Sequence, residues 1–128
     1  MRKNTLFAPF LLCIVAIGFF IGGLSACRHD DDISDLPEIC FETDILPIFQ
    51  NSCAVSGCHD GTVEMNLTTY SNIIEHIEPG DASKSKLYTV MTNTWSPEMM
   101  PPDRPVSLQN RTKIKLWIEQ GALETTCP

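Results

Sequence analysis

The densest reactive chemistry in this chain lies in Cys53-Ala54-Val55-Ser56-Gly57-Cys58-His59. Two thiols can add to the vinyl groups of a porphyrin, and an imidazole directly after the second can ligate its iron from the proximal side. These are the parts of a covalent, c-type haem attachment. The common form of that motif has fewer residues between the cysteines; this chain has four. Ala54–Gly57 must therefore bulge to bring both sulfurs to one macrocycle. Gly57 and Ser56 make the bulge easy for the backbone.

The compartment decides what the other cysteines do. Met1-Arg2-Lys3-Asn4 carries two positive charges, and Leu6 to Leu24 is apolar almost throughout. This is the charged start and apolar body of a secretory signal. The stretch is also long enough for a membrane-spanning helix, but Leu24-Ser25-Ala26-Cys27 closes it. That ending resembles the lipobox of bacterial lipoproteins, small residues before a cysteine that is lipidated and becomes the new N-terminus. The resemblance implies a signal peptide over 1–26, lipid on Cys27 and membrane anchoring by the acylated cysteine. The implied location is an exported lipoprotein of the outer membrane, on its periplasmic face or at the cell surface.

Residues 27–39 are rich in acidic side chains, with Asp30-Asp31-Asp32, and poor in apolar ones. They read as a solvated tether, and His29 belongs to it. In some Gram-negative bacteria an acidic run in this place resembles a surface-export signal; a plain spacer fits equally. Residues 40–128 then form the folded domain. Removing 1–26 leaves 102 of the 128 residues, a length for one domain and not for a two-domain enzyme. It also takes the formal charge from −7 to −9, because the leader holds two basic residues and no acidic one. So acidic a chain lacks the clustered Lys and Arg that nucleic-acid binding needs.

Of six cysteines, Cys13 leaves with the signal and Cys27 takes lipid, so Cys40, Cys53, Cys58 and Cys127 remain. Cys40 and Cys127 flank the domain, and a disulfide between them would contribute roughly 3–5 kcal/mol by closing a long loop. Two alternatives stay open at Cys53 and Cys58. Paired with each other, they would leave a haem-free, disulfide-stabilised surface module for binding or structure. With His59 they would offer three zinc ligands, one short of a closed structural site. No glycine-rich phosphate loop, nucleophile elbow or zinc-protease motif appears.

Helices must position these groups. Ile45, Ile48 and Phe49 recur at helical spacing and predict a helix from Glu42 to about Ser52. Thr43 or a nearby acidic group would cap it, with Pro47 tolerable only near its first turn. A second helix is expected over Thr69 to Glu78, closed by Pro79-Gly80, and a third from about Ala82 to Thr92. Asn93 to Pro105 contains four prolines and reads as a loop. Ser107 is a good N-cap for the last helix. Ile114, Trp117 and Ile118 form its apolar stripe, Arg111, Lys113 and Lys115 face water, and Gly121 ends it.

Ile45-Leu46-Pro47-Ile48-Phe49, Cys58-His59-Asp60-Gly61, Met100-Pro101-Pro102 and Trp117-Ile118-Glu119-Gln120-Gly121-Ala122 follow one another in the chain. In this order the segment from Cys40 to Cys127 resembles the monohaem c-type cytochromes, in particular the short domains of bacterial lipoproteins and planctomycete-type proteins. The resemblance implies an all-α, class-I-like cytochrome c fold of three to four helices with its terminal helices packed together. It implies one covalent haem c on Cys53 and Cys58, His59 as proximal ligand and Met100 as distal ligand. Met99 is the adjacent competitor, Met65 and Met91 are remoter, and His76 would give bis-histidine ligation. The implied function is electron transfer rather than catalysis, with peroxidase-like activity as a subordinate reading should the sixth position stay open. The acidic composition favours a redox partner with a basic docking patch.

Overall fold

The computed structural model describes Ile33, residues 35–62 and residues 65–127. The leader, Cys27 and His29 lie outside the described residues. Among the described residues regular structure is helical and no strand forms, which agrees with the all-α expectation. A π-helical turn, Phe41–Ile45, runs directly into α1 (Leu46–Ser52). It is followed by α2 (Tyr70–Ile74), α3 (Lys86–Thr92) and α4 (Leu108–Glu119). None of these helices is long and apolar enough to cross a membrane.

The first helix changes winding because of Pro47, which lacks an N–H and stands in the first turn of α1, where none is needed. The turn before it closes with a wider bond, Leu46 N–H to the Phe41 carbonyl. Thr43 makes no cap. Asp44 instead accepts the Cys40 N–H at 3.3 Å and pairs with Lys113 Nζ at 2.8 Å. The Lys113 hydrogen bond holds the Asp44 carboxyl below the usual carboxylate range, burial working slightly against it. Lys113 is therefore half-buried rather than facing water. Arg111 is half-buried too, and Lys115 is the exposed one of the three.

The last helix follows its sequence closely. Ser107 Oγ accepts the Asn110 N–H at 3.2 Å, and Ile114, Trp117 and Ile118 are buried. Gly121 leaves the helix at φ 101°, with its N–H on the Ile118 carbonyl and the Ala122 N–H on that of Trp117. This helix packs against the π-turn, where the Trp117 and Phe41 ring centres lie 5.6 Å apart. Phe41 meets Tyr70 edge-on at 5.0 Å. The polar tips are satisfied as well: Trp117 Nε1 donates to Leu123 O and Tyr70 OH to Ala122 O, both at 2.9 Å.

α2 and α3 are shorter than their sequence patterns predict, for a local reason. Asp81 Oδ1 accepts from Ser83 Oγ and from the Lys84 N–H, while Ser85, fully buried, donates to Asp81 O and accepts the Glu78 N–H. Such side chains compete with helical bonds and hold residues 81–85 as turns. The two ends of the domain are sewn together. Thr125 accepts the Phe41 N–H through Oγ1 and the Glu42 N–H through its carbonyl. Gln120 accepts the Ile39 N–H and donates to Pro37 O. Cys40 and Cys127 form a disulfide, with Cα atoms 5.9 Å apart across 87 positions of sequence.

Candidate functional site

The end of α1 delivers Cys53. Its N–H donates to Phe49 O at 2.8 Å, so the helix carries the residue into the core, where it is only 8% exposed. The four intervening residues then fold on themselves. Cys58 N–H bonds Val55 O at 2.9 Å, and His59 N–H returns to Cys53 O at 3.1 Å. Gly57 sits at φ 78° in this turn with open space around its α-carbon, so backbone conformation rather than crowding selects glycine. The expected bulge is thus a closed turn that leaves Cys58 exposed beside buried Cys53. Both cysteines are free thiols here.

His59 is held at both ends. Its carbonyl accepts the Leu67 N–H at 2.9 Å, and its ring Nδ1 lies 2.9 Å from Met65 O. A carbonyl only accepts, so Nδ1 carries a proton in this bond and Nε2 is the nitrogen left to face a metal. This is the orientation in which a second partner readies an imidazole for a metal. Asp60 fastens the segment from outside. One carboxylate oxygen accepts the Gly57 N–H at 3.1 Å, and the other accepts Thr62 N–H at 3.0 Å and Thr62 Oγ1 at 2.5 Å. Those bonds, led by the Thr62 hydroxyl, keep the Asp60 carboxyl below its ordinary range.

Facing this segment is the loop from Met100 to Ser107. Met100 N–H bonds Val90 O at 3.0 Å at the end of α3, and its side chain is 40% exposed. Between the two walls lies a cleft of about 700 Å³ lined by Cys53, Cys58, His59, Met100 and the Pro101–Val106 segment, among others. That volume is within the roughly 300–1,000 Å³ of small-molecule and cofactor sites. Met99 is half-buried, Met65 packs against the core and Met91 is buried within it. None of these three, nor His76, lines the cleft. Burial, and secondarily the neighbouring Cys58, pushes the Cys53 thiol up to about 11.

Sequence reasoning missed the roles of four residues. Met65 acts through its carbonyl, not its thioether, and no sequence pattern reports a carbonyl. Asp60 and Thr62 form an Asp-x-Thr turn whose spacing is a known local signal. Arg104 enters the wall because the proline-rich loop folds back. Among the described residues no group of three His, Cys, Asp or Glu side chains is arranged to hold a metal ion, Cys53, Cys58 and His59 included.

Comparison of the chain with protein families, with curated proteins and with solved structures finds no match.

Proposed function

We propose that this chain is a membrane-tethered electron carrier, a monohaem c-type cytochrome on a cytochrome c-like all-α fold. One observation carries the reading. Cys53, Cys58 and His59 share a cleft with Met100, which lies on a different loop far along the chain. The donor set fits the group: two thiols for covalent attachment, an imidazole with Nε2 uncommitted, and a thioether on the facing wall. When bound, haem c supplies a one-electron iron couple.

The chain's residues have separable tasks in this reading. Cys53 and Cys58 would hold the macrocycle, the one from a buried position and the other from an exposed one. His59 is oriented by Met65 O, and Asp60 keeps the intervening turn closed. Met100 is presented by a loop stiffened by Pro101, Pro102 and Pro105, with fewer conformations to lose on ligation. Cys27 would carry the lipid anchor, and the net charge of −7 favours a partner with a basic docking patch.

The test is to express the mature chain with c-type maturation machinery and separate it under denaturing conditions. Haem retained on the denatured chain supports the reading, and a haem-free chain overturns it. In the holoprotein, Met100→Ala should abolish the ferric sulfur-to-iron absorption band; survival of that band assigns the sixth position to another residue.

A further inference from the structure

We infer that Trp95 is a docking anchor for the lipid bilayer, seating the loop that also carries Met100 at headgroup level; the tether that brings the bilayer near rests on the reading above. The chain has two tryptophans, and they stand at opposite extremes. Trp117 is 1% exposed and Trp95 is 95% exposed. Single exposed aliphatics such as Leu108 and Leu123 are ordinary on a surface. A whole indole in water is not, since tryptophan is highly buried on average. The backbone that presents it is braced. Ser96 N–H bonds Asn93 O at 3.2 Å, Met99 N–H bonds Ser96 O at 3.1 Å, and Met100 N–H bonds Val90 O at 3.0 Å.

Charge and chain length select a lipid surface as the occupant. Residues 92–97 carry no charge, in a chain whose net charge is −7, and Glu98 is the nearest charged residue along the sequence. A partner's charged patch finds no complement at such a tip. An indole, with an apolar body and one N–H, suits the interfacial layer of a bilayer. Asn93, Thr94 and Ser96 beside it can bond headgroups without carrying charge into them. One ring alone binds a membrane weakly, so what holds the domain nearby matters. Residues 27–39 separate the lipidated position from Cys40, and fully extended they span about 45 Å. A domain of some 90 residues has a radius of gyration of about 12 Å. The tether is therefore long enough to let any face meet the bilayer, and short enough to keep the local concentration high. A single exposed ring then suffices to choose the face.

Hydroxyl-radical footprinting read by mass spectrometry compares the mature lipidated chain in phosphatidylcholine vesicles with the mature chain carrying Cys27→Ser free in solution. Docking should cut oxidation of Trp95 by about threefold or more, as the ring enters the headgroup layer. Leu123 should be unchanged. It lies between Gln120 and Thr125, which bond Ile39 and Phe41 where the tether joins the domain. Flotation of the Cys27→Ser chain with the same vesicles reads affinity without the anchor. Removing roughly 100 Å² of indole from water corresponds to a gain of about ten- to hundredfold, so Trp95→Ala should lower partitioning by about tenfold or more. Trp95→Phe should restore part of it, and Leu123→Ala should leave it unchanged. Adding phosphatidylglycerol to the vesicles should not strengthen binding, because the chain is acidic. Equal oxidation of Trp95 in both states, protection of Leu123 in its place, unchanged partitioning of Trp95→Ala, or tighter binding to the anionic vesicles would overturn the assignment. An intact mass with no acyl chain on Cys27 overturns the tether instead, and flotation still decides Trp95.

Discussion

Breaking the Cys40–Cys127 disulfide should be the most damaging change outside the cleft. The bond joins residues 87 positions apart, and in the chain-entropy relation a loop of that size removes roughly 4–5 kcal/mol of freedom from the unfolded state. A domain of this length has about 5–13 kcal/mol of stability in all. The double change Cys40→Ala/Cys127→Ala should therefore lower the thermal midpoint by on the order of 20 °C or more. It should also raise the urea m-value, because the uncrosslinked chain exposes more surface when unfolded. Urea unfolding followed by far-ultraviolet circular dichroism measures both. A loss under about 1 kcal/mol with an unchanged m-value would refute the reasoning. It would mean that the bonds of Thr125 to Phe41 and Glu42, with the Gln120 clamp, hold the ends without covalent help.

Three further outcomes are expected. In chain without attached haem, alkylation at pH 8 should label exposed Cys58 well before Cys53, whose thiol is held up to about 11. That raised value favours the protonated thiol in the fold, so its contribution is intact below pH 9. Roughly 2–3 kcal/mol should then be lost as pH rises towards 11, measured by urea unfolding at each pH. Asp60→Asn should speed amide exchange at Gly57 and Thr62. In the unsubstituted chain the same amides should lose protection as pH falls below the ordinary carboxylate range, since the lowered carboxyl stabilises the turn only while ionised. Gly121→Ala places a side chain at φ 101° and should cost about 1–2 kcal/mol in thermal unfolding.

The sequence announces what depends on neighbours along the chain. Ser107, the Ile114/Trp117/Ile118 stripe and Gly121 define α4 from start to stop, and the structure keeps each of them. Cys40 with Cys127 follows from their places at the two ends. What it does not announce depends on the opposite end of the fold or on backbone groups. The π-turn at Phe41–Ile45 is braced by Thr125 and Lys113. The shortened α2 and α3 reflect Asp81 and Ser85, whose side chains compete with helical bonds. At the site, cysteine spacing and the adjacent histidine identify Cys53, Cys58 and His59 as a reactive group. Met65 O and Arg104 enter only through folding, because a carbonyl has no residue signature and a loop arginine has no fixed address.

The central claim is that two thiols and one imidazole share a single macrocycle. Intact mass of the mature chain after maturation and denaturation tests it most directly, run beside Cys53→Ala, Cys58→Ala and the double variant. The account predicts one haem added to the parent and none to the double variant. A parent mass equal to that of the bare chain less the hydrogens of a second disulfide, between Cys53 and Cys58, would contradict it.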